Sequence, residues 1–91
     1  PDNIDIQQLK HFLLSLEGVK EVHDLHVWAL STTRTALTAH LVMPQGGSDE
    51  FLFDTRNKLK KEFNIDHCTL QVETSMADEE YRRGEGLQIE K

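Results

Sequence analysis

The stretch Val22-His23-Asp24-Leu25-His26-Val27-Trp28-Ala29-Leu30-Ser31, followed nine residues later by His40, carries three of the five histidines of the chain. Its β-branched and aromatic residues read as an extended strand over 22–31. Residues 35–43 read as a second strand, and the polar segment Ser31-Thr32-Thr33-Arg34 joins the two as a hairpin. Imidazole is the commonest protein ligand for transition metals, so the question is which of these histidines meet.

Strand side chains alternate between faces, so hairpin register decides the neighbours. If paired residue numbers sum to an odd value, Val22, Asp24, His26, Trp28 and Leu30 share a face with Thr35, Leu37, Ala39, Leu41 and Met43. His23, Leu25, Val27 and Ala29 then share the other face with Ala36, Thr38, His40 and Val42. An even sum mixes apolar and polar positions on both faces. The odd register segregates them better and is the one expected. It puts His23 and His40 on one face and turns His26 the other way, because a His-x-x-His pair splits across the faces of a strand.

Working outward, Asp5 followed by Gln8 resembles a capping box, and Ile6, Leu9, Phe12, Leu13 and Leu16 form a helical stripe. Gly18 is a natural stop, so a first helix is expected over 5–17. Pro44-Gln45-Gly46-Gly47 is a loop. Ser48, Asp49 and Glu50 open a second helix with the stripe Phe51, Leu52, Thr55, Leu59 and Phe63. Lys58, Lys60 and Lys61 suit the negative end of its dipole. Residues 67–74 alternate and make a third strand. The expected order is α-β-β-α-β, with both helices covering one sheet face. From 75 to 91 the chain turns polar and glycine-interrupted; Ser75 and Asp78 could cap one turn, but a flexible tail is expected. The domain is placed at 1–74 and the tail at 75–91.

On the third strand, Cys68, Leu70 and Val72 are the apolar side and should face the helices. Thr69, Gln71 and Glu73 then join the face of His23 and His40. Glu73 becomes the third member of a His-His-carboxylate set suited to Zn²⁺ or a similar divalent ion. Asp66 and His67 lie just before the strand, where alternation is unreliable, and either could swing in as a further ligand. A single histidine on a strand ordinarily serves as a hydrogen-bonding or surface residue. It is two on one face with a carboxylate that point to a metal. His11 reads as solvated, His26 as packed or hydrogen-bonded to Asp24 or backbone, and Cys68 as a small core residue.

Ninety-one residues make one small domain. With 37% apolar and 7% aromatic residues its core should be modest, and a dimer interface would supplement it. The net charge of −6, from 16 acidic against 10 basic residues, argues against nucleic acid and suits a cationic ligand. One cysteine cannot form an intrachain disulfide, which fits a reducing compartment. No signal peptide or apolar run of about 18 residues is present. The start at Pro1 without an initiator methionine suggests a piece of a longer protein. There is no Gly-x-Ser-x-Gly, phosphate loop, His-Glu-x-x-His or Cys-x-x-Cys. Cys68 and His67 point to opposite faces and cannot act as nucleophile and base, so an enzyme is not expected.

Gly18-Val19 with Val22-His23-Asp24-Leu25-His26-Val27-Trp28-Ala29-Leu30-Ser31 resembles the C-terminal domain of cation diffusion facilitator transporters. Ala36-Leu37-Thr38-Ala39-His40-Leu41-Val42 and His67-Cys68-Thr69-Leu70-Gln71-Val72-Glu73 match that family's next two blocks in order. The resemblance implies an α+β, ferredoxin-like or metallochaperone-like fold: α-β-β-α-β, a three-stranded mixed sheet with two helices on one face. It implies a domain on the cytoplasmic face of a membrane, attached to a transmembrane domain outside this chain. It also implies a homodimer, in a transporter that exchanges Zn²⁺, or Cd²⁺, Co²⁺, Ni²⁺, Fe²⁺ or Mn²⁺, for protons. Bound metal would favour a closed dimer by population shift.

Family metal positions match His23, His40 and Glu73. Gln71 stands where some members have a bridging histidine, and Asp66 where others place one. No histidine occupies 51–54, so a single site per protomer is expected, with Asp66 or water completing it. The alternative readings are a dimerisation or partner-docking module without its own metal site, and a soluble metallochaperone.

Overall fold

Two helices lie on one face of a three-stranded sheet in this computed structural model, which describes residues 4–75. The elements run α1 (Ile6–Leu14), β1 (Glu21–Ala29), β2 (Thr35–Val42), α2 (Asp49–Phe63) and β3 (His67–Glu73). This is the expected α-β-β-α-β order. β2 is the central strand, antiparallel to β1 and parallel to β3. The sheet is therefore mixed, because α2 must carry the chain back along the sheet before β3 can begin. The expected tail from 76 onward lies outside the described residues.

Each helix starts where its sequence signal stands. The Asp5 carboxylate accepts from the Gln7 and Gln8 amides, and the Ser48 hydroxyl oxygen accepts from the Phe51 amide. Both caps satisfy amides with no partner inside the helix. α1 ends at Leu14, short of the expected residue 17, because Ser15 caps it and its hydroxyl donates to the Phe12 carbonyl. α2 ends at Asn64, which adopts the left-handed conformation that asparagine tolerates.

α1 packs mainly on β1 and α2 on β3, and Phe12 meets Phe63 between the helices at a ring separation of 5.4 Å. Leu9, Leu13 and Leu59 from the helices and Leu37, Ala39, Leu41 and Leu70 from the sheet form the buried core. Cys68 packs against this core on the helix side, and burial pushes its thiol up to about 11.

The hairpin departs from expectation in its second half. Val22 pairs with Leu41 and His23 with His40, in the expected odd register. Pairing then resumes at His26 with Thr38, so Asp24 and Leu25 together oppose Ala39. This is a β-bulge, with Asp24 held at φ 53 in the left-handed region that aspartate enters more readily than most residues. One extra residue reverses every later side chain. Val27 therefore pairs with Leu37 on the helix side, and Leu25 and Val27 pack on the core. His26 and Trp28 pair with Thr38 and Ala36 on the helix-free face, and both are exposed. The expectation that His26 and Trp28 face the helices is thus overturned by the bulge. Leu30, also expected there, lies beyond the strand and is 48% exposed.

Candidate metal centre

Beyond the bulge, at the end of the sheet where β1 begins and β2 and β3 finish, three side chains converge on the helix-free face. His23 comes from β1, His40 from the central strand and Glu73 from the end of β3. Direct pairing places His23 opposite His40, and their rings lie 5.0 Å apart. Gln71 is in register with His40, and Glu73 with Val42. The Met43 amide donates to the Glu73 carbonyl at 2.7 Å, tying the end of β3 to β2.

Glu73 is the centre of the cluster. Its residue is only 3% exposed, and its two oxygens serve different rings. His23 Nε2 lies 2.9 Å from Oε1, and His40 Nδ1 lies 2.5 Å from Oε2. The Gln71 side-chain amide donates to Oε2 at 3.3 Å. A buried carboxylate requires compensating positive charge as well as hydrogen bonds. Two imidazoles can provide it by carrying protons, or they can turn their lone pairs to a shared cation.

The donor chemistry fits a metal. One ligand atom from each of His23, His40 and Glu73 can be chosen so that all lie within 4.8 Å of one another. Donors around a four-coordinate Zn²⁺ stand roughly 3.3 Å apart, given bonds of about 2.0–2.2 Å. The nitrogens that face Glu73 are Nε2 of His23 and Nδ1 of His40. A metal there would act as a local positive charge linking all three strands.

The other candidates fall elsewhere. Gln71 adjoins the cluster but turns its amide nitrogen to Glu73, so it supports that carboxylate. Asp66 does not reach the cluster. It accepts from Lys60 Nζ at 2.7 Å and from the Thr35 amide at 3.0 Å, and these contacts hold its carboxyl below the usual range. His67 is in register with Ala36, four positions from the His40–Gln71 pair and roughly 13 Å along the sheet. There its Nε2 accepts from Arg34 at 2.7 Å.

Asp24 is the member that alternation conceals. A regular strand would turn it to the helix side, yet the bulge brings its Oδ2 to 3.5 Å from His23 Nδ1 and 3.9 Å from His40 Nδ1. A concavity of about 680 Å³ beside Gly18, Met43 and Gly46 contains none of these residues. A smaller groove of about 290 Å³ on the open face is lined by Trp28, Leu30, Thr38 and Thr69.

Two helices on one face of a three-stranded mixed sheet, with a candidate His-His-carboxylate cluster on the other, define a small α+β domain. The sequence pattern of the cation efflux protein cytoplasmic domain matches residues 1–75, and the chain belongs to this family. It resembles the metal-bound C-terminal domain of the CzcD transporter from Cupriavidus metallidurans, with a TM-score of 0.68 and 35% identity. The likeness covers 77% of this chain and 99% of that one.

Among full-length relatives, it is 39% identical over 74 residues to a probable zinc transporter protein of Dictyostelium discoideum, covering 80% of this chain and 14% of that protein. It is 33% identical over 79 residues to the proton-coupled zinc antiporter SLC30A2 of Rattus norvegicus, covering 86% of this chain and 22% of the relative. The chain thus spans well under a third of these relatives. The family is a transporter domain and a non-enzymatic kind of protein. Among the described residues, no helix is long and apolar enough to cross a membrane.

Proposed function

We propose that this chain is the metal-sensing and dimerisation domain of a proton-coupled Zn²⁺-type efflux transporter, lying on the cytoplasmic face of the membrane. In this reading His23, His40 and Glu73 bind one divalent ion per protomer. Binding favours a closed homodimer because the closed arrangement holds the ion more tightly. The transmembrane domain to which the chain would be joined carries the transport step. The observation that carries the reading is the buried Glu73 carboxylate, clasped by two imidazoles from neighbouring strands. The relatives described as zinc transporters and the metal-bound CzcD domain support it.

Calorimetric titration with Zn²⁺ of the wild-type chain and of a His23→Ala/His40→Ala variant tests the site. The wild type is expected to bind and the variant to fail; equal binding by both would eliminate it. A second reading, a dimerisation or partner-docking module without a functional metal site, is favoured by Trp28 and Leu30, 46% and 48% exposed. It predicts the same dimer with or without metal and no thermal stabilisation by saturating Zn²⁺.

A further inference from the structure

We infer that Asp24 is a positioning residue of the His23/His40/Glu73 site: its carboxylate accepts the Nδ1–H of His23 and so aims the Nε2 lone pair of that ring at the bound ion. The inference rests on the proposed metal site and adds a residue that lies outside its three ligands.

An imidazole has two nitrogens, and a metal can use one of them. When the other donates to a carboxylate, the tautomer and ring orientation are fixed and the ligand becomes more basic. His23 is placed for this arrangement. Its Nε2 faces Glu73 at 2.9 Å, while its Nδ1, on the opposite side of the ring, faces Asp24 Oδ2 at 3.5 Å. That separation is at the outer edge of a hydrogen bond, and the Asp24 side chain is exposed. His40 presents Nδ1 to both carboxylates, at 2.5 Å from Glu73 and 3.9 Å from Asp24, so Glu73 claims that nitrogen. Asp24 is left to serve His23.

The backbone shows how the residue arrives there. In an unbroken strand Asp24 would point away from His23. The bulge, with Asp24 at φ 53, returns its side chain to the open face beside the ring. Position 24 therefore requires both a residue that tolerates the left-handed region and an acceptor. Aspartate meets both requirements, whereas glycine meets only the first.

This separation makes the test selective. Asp24→Gly keeps the bulge without strain and removes the acceptor, whereas Asp24→Asn tolerates the same backbone and retains a neutral oxygen acceptor. Zn²⁺ affinity is read by competition with a chromophoric chelator. The His23 ring N–H resonance of the zinc-loaded protein is followed by NMR. Asp24→Gly is expected to weaken Zn²⁺ roughly 10- to 100-fold and to expose the ring N–H to rapid solvent exchange. Asp24→Asn is expected to recover most of the affinity and protection.

Wild-type affinity in Asp24→Gly, or an unprotected His23 N–H in the wild type, would overturn the inference while leaving the three-ligand site intact. Loss in Asp24→Asn as large as in Asp24→Gly would also overturn it, and would mark Asp24 as a direct ligand. Failure of the underlying reading looks different: Zn²⁺ affinity then does not respond to His23→Ala/His40→Ala.

Discussion

Glu73 closes β3 and Asp66 sits just before its start, so one strand separates two carboxylates that are satisfied in contrasting ways. Asp66 is held by the Lys60 ammonium and the Thr35 amide, while its own amide donates back to the Thr35 carbonyl at 2.9 Å. Glu73 is more deeply buried and is held by two imidazoles and a glutamine amide. An ammonium is a permanent cation and leaves no place for another. An imidazole can exchange its proton for a metal. The teaching is that the partner, more than the carboxylate, decides whether an acidic residue is a structural clasp or a binding group.

The largest expected effect strikes the Glu73 end. With free Zn²⁺ roughly 100-fold above Kd, the metal should stabilise the wild type by about 2.7 kcal/mol. His23→Ala/His40→Ala should remove that increment, as read from thermal unfolding with and without metal. An increment that survived would show that the imidazoles do not distinguish the two ends.

A smaller effect comes through the helix that delivers Lys60 to the other end. Ser48→Ala removes the cap that accepts from the Phe51 amide and should cost about 1 kcal/mol in urea unfolding. Zn²⁺ affinity should stay unchanged, because α2 supplies nothing to the cluster. A joint loss of stability and affinity would mean that the two ends are coupled.

The smallest effect is confined to acid. The Asp66 carboxyl is depressed by the Lys60 hydrogen bond first and the Thr35 amide second. Its contribution is therefore fully present above the ordinary carboxyl value of the unfolded chain. It disappears as pH falls through the lower folded value. Asp66→Asn should flatten that part of the stability profile below about pH 4 and leave Zn²⁺ binding intact. A variant that lost Zn²⁺ would break the contrast outright.

The helices and strands were legible because each has a local cause: caps at Asp5 and Ser48, and apolar alternation in β3. The meeting of His23, His40 and Glu73 also follows from alternation, because all three lie on parts of their strands where the register is regular. The bulge was hidden by a strand that looks alternating throughout. Its trace is in the apolar positions: Val22, Leu25 and Val27 face the core, a spacing one residue too long, with Asp24 inside the gap. His26 and Trp28 were misplaced for that reason alone. The Asp66–Lys60–Thr35 clasp had no sequence signal. It depends on how the link before β3 meets the start of β2, a tertiary contact that no local pattern encodes.

A strand is read in steps of two, and the bulge acts on it as an inserted letter acts on a reading frame. Every residue after Asp24 is displayed to the opposite audience: Leu25 and Val27 to the core, His26 and Trp28 to the surroundings. Straightening the bulge with Asp24 kept in the strand would thus be far from a local change. It would turn Leu25 and Val27 outward, and drive a histidine and a tryptophan into space shaped for two aliphatic side chains. The histidine end of the open face and its tryptophan end exist together on one surface because of a single left-handed residue.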